Sequence, residues 1–334
     1  MRIVFAGNPA IAIPALEEIF RLSCNSSDKK QAPVSLAAVL TNPDSPKGRS
    51  GVLAPTEIGE AALRLSAEYK MAGIPAPLVL KPEKHDADAR SQIASLEPDL
   101  LVSFAYGRIF GPKFLALFPL GGINIHPSLL PKFRGPTPIP AAILSGESET
   151  GISIQRLAAK MDCGDILIQE HIALSGRETC SGLGMLVAKK AAELLPLVLE
   201  GIVSCTLQST PQNDEQAVYC PLISKEEGLI DWNKSAGEID ALIRAYDSWP
   251  QTWTMHTDRQ LFILRAVPVP DSISQTGTEP GLVLGIDKSS GILIQTGEGI
   301  LAVSELQYRS KKAMNWKDFI NGARDFLGCR LGQN

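Results

Sequence analysis

Through residue 200 the chain alternates short β-rich runs with segments of helical spacing, and beyond residue 201 that alternation stops. Runs at residues 2–6, 34–41, 100–105 and 123–126 read as strands, a loop follows the first at 7–9, and residues 10–22 have helical spacing. Strands alternating with helices leave room for the crossovers that parallel pairing needs, which argues for a parallel sheet with helices on both faces and a ligand site at the strands' carboxyl ends. Residues 179–200 predict one long helix with Gly201 as its terminator.

After that helix the turn signals DKSSG and GEG separate the β-rich runs QLFILRAVPVP, GLVLGID, GILIQ and ILAVSEL, a pattern that predicts a small barrel. One helix is marked there by Ser235 and Glu238, spaced as a capping box ahead of IDALIRAY. At 334 residues the chain exceeds most single cores, so two domains are expected. The boundaries read as 1–201 and 217–334, with residues 202–216 as a linker.

The net charge of -4 argues against a protein held to nucleic acid by bulk attraction; any RNA contact must come from local basic patches. The six cysteines are scattered, without C-x-x-C or a His-rich neighbour, and read as reduced packing thiols. No segment approaches the roughly 20 apolar residues of a membrane helix. The apolar N-terminal run is broken by Gly7, Asn8, Pro9 and Pro14, so it reads as a first strand and helix and not as a secretion signal. Together these predict a cytoplasmic location. G-x-G-x-x-G, G-x-x-x-x-G-K and G-x-S-x-G are all missing, which sets aside dinucleotide, P-loop and serine-hydrolase readings.

Two segments carry candidate chemistry. In GGINIHPSLLP, period-two alternation puts Asn124 and His126 on one face and Ile123 and Ile125 on the other, and Pro127 ends the strand just beyond them. In MDCGDIL, Asp162 stands in a turn permitted by Gly164. A carboxylate beside an imidazole favours its protonated form and orients it. Taken singly, a core histidine and a turn-capping aspartate are the commoner meanings of such residues, and Cys163 reads as packing.

Taken together, FAGNP, VSFAYGRIF, GGINIHPSLLPKFRGPTPI and MDCGDIL resemble the folate-dependent formyltransferases. KEEGLIDW, LIRAYDSWP and KKAMNW extend the resemblance to the C-terminal part of those that act on aminoacylated tRNA. The resemblance implies an α/β fold: an N-terminal Rossmann-like parallel sheet flanked by helices, plus a small C-terminal OB-like β-barrel that binds tRNA. It implies transfer of the formyl group of 10-formyltetrahydrofolate to the amino group of methionyl-initiator tRNA, with Asn124, His126 and Asp162 catalytic. It implies folate binding by Ser128, Leu129, Leu130 and Pro131, with the pterin beside residues 104–109. No metal and no membrane partner is implied, and a monomer is expected.

The chemistry suits those side chains. Amine attack on a formyl carbon creates an oxyanion, for which Asn124 and a protonated His126 are the expected donors, each such donor contributing on the order of 2.7–4 kcal/mol in other enzymes. Asp162 is expected to raise the His126 pKa and to take up the amine proton.

For tRNA, the resemblance points to the loop 41–59, with Lys47 and Arg49 as contacts, although GVLAPTEIG stands where the family usually has adjacent lysines. Leu157 and Ala158 also depart from the usual methionine and acidic residue. From residue 205 onward 12 Lys and Arg face 16 Asp and Glu, so a basic stripe must be local; Lys311 and Lys312 lie in the richest stretch. Two rivals are a folate-dependent formyltransferase acting on a small-molecule amine, and an RNA-binding protein without catalysis.

Overall fold

The computed structural model describes residues 1–24, 34–46, 51–269, 279–323 and 325–332, and its contacts divide into two compact units. The first contains residues 1–138, 149–173 and 184–221; the second contains 139–148, 174–183 and 222–334.

The strands of the first unit are β1 (Arg2–Gly7), β2 (Ser35–Leu40), the two-residue pair β3 (Ser45–Pro46) and β4 (Leu53–Ala54), β5 (Leu78–Leu80), β6 (Leu100–Phe104), β7 (Gly122–His126), β8 (Glu149–Arg156) and β9 (Ile166–Ala173). Seven of them form one sheet in the order β5-β2-β1-β6-β7-β8-β9. The first five are parallel, whereas β8 and β9 run antiparallel at one edge. The sheet is therefore mostly parallel; the direction reverses at β8, and the short connection from β8 to β9 allows only antiparallel pairing of those two strands.

The chain winds outward from β1 through β2 to β5 and then returns beside β1 as β6. This reversal opens a crevice at the carboxyl ends of β1 and β6. Close approach there needs Gly7, since a Cβ would lie 2.9 Å from the Phe104 carbonyl. Asn8 braces the crevice: its amide donates to the Tyr106 carbonyl, and its Oδ1 accepts from Asn42 N at 2.8 Å. Beneath lies a core including Val4, Leu40, Leu101, Tyr106 and Phe114, all buried, with Tyr106, Phe110 and Phe114 stacked in sequence.

The long helix runs Cys180–Val203, past the predicted stop at Gly201. Gly201 is instead where the returning chain passes: a Cβ there would meet that of Leu207 at 3.0 Å. The helix ends two residues later, with Cys205 at φ 55°, Thr206 N donating to Gly201 O and Cys205 N to Ile202 O. That is the Schellman arrangement, with cysteine in the place glycine usually takes. Residues 202–216, expected as a linker, begin inside this helix, and Thr210 then forms a two-way backbone bridge with Ile166 of β9.

In the second unit β10 (Thr252–His256), β11 (Arg259–Pro268), β12 (Val283–Asp287), β13 (Gly291–Gln295), β14 (Ile300–Tyr308) and β15 (Met314–Asn315) pair antiparallel in the order β10-β11-β14-β13-β12, with β15 on β14. The segment 328–332 bridges the two ends of that path. Leu331 N donates to Gly281 O and Val283 N to Cys329 O beside β12, while Gly332 N donates to Met255 O of β10. Those bonds close the sheet into a barrel-like ring around buried Leu261, Ile292, Val303 and Phe326. The capping box forms as its spacing predicts, and Glu238 is held down to about 2 by backbone and hydroxyl hydrogen bonds from Ser235.

Candidate active site

β7 delivers Asn124 and His126 to its carboxyl end, where His126 is buried and Asn124 half-buried. Asp162 comes from the loop between β8 and β9 and converges on both. Its Oδ1 accepts from Asn124 Nδ2 at 3.4 Å and lies 3.6 Å from His126 Nδ1. Its Oδ2 accepts from the Gly135 amide at 2.9 Å.

The loop is built to hold Asp162 there. Asp162 has φ 53°, a left-handed conformation that costs on the order of 1–3 kcal/mol for a side-chain-bearing residue. Gly164 lets it press against β8, since a Cβ would stand 1.8 Å from the Arg156 carbonyl. Gly135, at φ 110°, plays the same part opposite Cys220.

His126 departs from the raised pKa expected of it. Nε2 lies 2.8 Å from the Phe133 carbonyl, which can only accept, so Nε2 carries the hydrogen. Burial pushes the imidazole below its ordinary value of 6.5, against the opposing pull of Asp162 and of the Phe133 carbonyl. The ring is therefore harder to protonate than a free imidazole, and its Nδ1 stands 3.6 Å from Asp162 Oδ1.

Sequence reading missed a set of polar residues around this centre. Gln155 faces Asn124 directly across the β7–β8 pairing and donates from Nε2 to Asp162 Oδ1 at 3.2 Å. Its signal was present: in GISIQR, Ser153 and Gln155 alternate with Ile152 and Ile154, the same polar-apolar period as Asn124 and His126. Ser153 faces His126 in that register. Gln212, Arg134 and Tyr219 complete the surroundings, with Arg134 buried and its Nη1 donating to Tyr219 Oη at 3.0 Å. No local pattern marks Gln212, which arrives from 50 residues beyond Asp162.

The expected folate loop is firmly pinned. Ser153 Oγ donates to Ser128 O at 2.6 Å and accepts from Leu130 N at 3.0 Å, while Gln169 Nε2 donates to Leu130 O at 2.9 Å. Ser128 and Leu130 are buried, and Leu129 and Pro131 are partly exposed. In the segment 104–109, Tyr106 is buried and Ile109 exposed. Lys311 and Lys312 are exposed, and Lys47 and Arg49 lie outside the described residues. Among the described residues no cluster of His, Cys, Asp or Glu could hold a metal ion, and no helix is long and apolar enough to cross a membrane.

Residues 8–199 match the family described as formyl transferase, and residues 222–324 match the formyl transferase C-terminal domain. The chain is 46% identical to the methionyl-tRNA formyltransferase of Treponema denticola over 98% of each chain. Among solved structures, an N-formyltransferase from Helicobacter canadensis, in complex with folinic acid and dTDP-3-aminofucose, superposes with a TM-score of 0.63 at 18% identity, over 90% of this chain and 98% of that one. HypX from Aquifex aeolicus, in complex with tetrahydrofolic acid, gives 0.61 at 16% identity over 98% of this chain, which spans about half (48%) of its length. The mostly parallel sheet, the C-terminal antiparallel domain and this full-length likeness agree: the chain belongs to the formyltransferase family, in the branch of the methionyl-tRNA formyltransferases.

Proposed function

We propose that this chain transfers the formyl group of 10-formyltetrahydrofolate to the amino group of methionyl-initiator tRNA, giving formylmethionyl-tRNA for translation initiation. The observation that carries the reading is one carboxylate, Asp162, that accepts from the Asn124 amide and stands 3.6 Å from His126 Nδ1 at the end of β7. The neutral amine attacks the formyl carbon, and the carbonyl electron pair moves onto oxygen. Asn124 Nδ2 donates to that oxyanion. His126 Nδ1 takes the amine proton, and the imidazolium so formed faces Asp162, where its charge is stabilised. The bond from carbon to N10 then breaks, N10 leaves with the electron pair and regains the proton from His126, and the products are formylated amine and tetrahydrofolate.

The folate would lie in the crevice beside residues 104–109, with Ser128, Leu129, Leu130 and Pro131 as the adjoining wall. Ser128 and Leu130 are buried and their backbone groups are held by His126, Ser153 and Gln169, so of the four it is the partly exposed Leu129 and Pro131 that would meet the ligand. We assign catalysis to residues 1–201 and tRNA contact to 217–334 together with Lys47 and Arg49; Lys311 and Lys312 would reach phosphates. The protein would work as a cytoplasmic monomer.

A formyl-transfer assay comparing methionyl-initiator tRNA, free methionine and a nucleotide-linked amino sugar tests the acceptor. Preference for the sugar would overturn the tRNA reading in favour of a small-amine enzyme. Asn124→Ala and Asp162→Asn are each expected to leave less than about a tenth of the wild-type rate with the fold intact, as loss of an oxyanion donor or of its orienting group does. Fuller retention by either variant would remove that residue from the mechanism.

A further inference from the structure

The turn that carries Asp162 is tied to side chains outside the reacting centre, and the polarity of those ties can be read atom by atom. A guanidinium only donates. Nε and Nη2 of Arg134 both donate to Oε1 of Gln212, at 3.0 and 2.7 Å, so that amide must turn its oxygen toward Arg134 and its nitrogen away. Nε2 of Gln212 then donates to the carbonyls of Gly164 and Asp162, at 2.7 and 3.0 Å, and to Oε1 of Gln155 at 3.1 Å. Two hydrogens serve three acceptors, one of them shared.

Gln155 is oriented in turn. With its oxygen committed to Gln212, its nitrogen is the atom that meets Asp162 Oδ1, at 3.2 Å. The source of the chain is itself immobilised, because Arg134 is 1% exposed and also donates to Tyr219 Oη and to Asp214 Oδ1.

We propose that Gln212, locked by Arg134, is a positioning residue for formyl transfer. It holds the left-handed turn of Asp162 through two backbone carbonyls and sets which end of Gln155 the carboxylate meets. An unlocked Gln155 can present its own oxygen to Asp162. Two acceptors then face each other in a buried place, and the carboxylate leaves its station opposite His126 Nδ1. This inference rests on Asn124, His126 and Asp162 being the reacting groups.

Three variants test it: Gln212→Met, of similar length without hydrogen bonds; Gln212→Glu, which keeps the acceptor for Arg134 but loses the amide donors; and Asn124→Ala as the control for the site itself. The measurements are kcat, both KM values, the pH profile of kcat and the thermal midpoint, with methionyl-initiator tRNA and 10-formyltetrahydrofolate. Both Gln212 variants are expected to lose kcat on the order of 10- to 100-fold, as displaced catalytic groups do, with each KM within about twofold of wild type. The inflection of the pH profile should move, because Asp162 no longer stands against His126, while the thermal midpoint changes little.

Wild-type kcat and pH profile in Gln212→Met, or full kcat in Gln212→Glu, would overturn the proposal. So would a loss of kcat that merely follows a loss of folded protein. Full transfer by Asn124→Ala would overturn the reading of the site itself, whatever the Gln212 variants do.

Discussion

Burial makes His126 harder to protonate, and this has a pH consequence with a definite sign. Its pKa in the folded protein lies below the ordinary 6.5 because desolvation outweighs Asp162 and the Phe133 carbonyl. Between the folded value and 6.5 the unfolded chain binds a proton that the native protein does not. The group therefore has no effect on stability above 6.5; stability falls as pH drops below it and levels off once the folded value is passed. For the reaction, Nδ1 is available as a base on the alkaline side of the folded value. The kcat of the chemical step should fall only below pH 6.5, and ring-nitrogen NMR of His126 should titrate there; a midpoint above 6.5 would contradict the lowered pKa. Gly164→Ala acts at the same scale, since its Cβ would stand 1.8 Å from the Arg156 carbonyl. We expect about 3 kcal/mol or more of destabilisation, measured by denaturant midpoint, together with loss of transfer through displacement of Asp162.

At the scale of elements, β7 and β8 form the working unit. Their antiparallel register sets Asn124 against Gln155 and His126 against Ser153; in the proposed mechanism β7 supplies reacting groups, while Gln155 of β8 donates to Asp162 and Ser153 ties down the loop 128–130. The hairpin edge of β8 and β9 also carries the turn of Asp162, which is why an antiparallel addition to a parallel sheet sits beside the site. The end of the long helix offers an independent test. Cys205 is exposed and at φ 55°, a conformation that costs a β-carbon roughly 1–2 kcal/mol and glycine nothing. Cys205→Gly should raise stability by about 1 kcal/mol in chemical denaturation without changing kcat, once the greater freedom of an unfolded glycine is set against the relief. A lowered midpoint would mean that Cys205 makes contacts worth more than that strain.

For the molecule as a whole, each unit closes a different kind of core. The first is a sheet whose inner strand β1 is buried from Ile3 onward, Ile3, Val4, Phe5 and Ala6 being without solvent contact. The second is a ring completed by residues 328–332, so deletion from residue 328 onward should leave the β10 and β12 edges unpaired. Light scattering on heating should then show aggregation at a lower temperature than for the full chain, as open strand edges do. Charge is also a whole-molecule matter: with a net of -4, tRNA affinity must rest on few cations. Lys311→Ala with Lys312→Ala should raise the KM for tRNA and flatten its salt dependence by about two charges, leaving the KM for folate unchanged.

Local periodicity was enough to mark β1, β2, β6 and β7 to within a residue at either end, to put Asn124 and His126 on one face, and to locate the capping box at Ser235. These are properties of neighbours in the chain, governed by side-chain alternation and turn chemistry, and they survive in any context. What only the tertiary structure decided are long-range matters: the meeting of Asp162 with β7, the relay through Gln155, Gln212 and Arg134, the use of Gly201 as a crossing point instead of a helix stop, and the lowered pKa of His126. A carboxylate neighbour alone raises an imidazole pKa, and the family resemblance implied only that neighbour. The burial that reverses the sign is a sum over the surrounding packed residues, which exists only once the chain has closed around the ring.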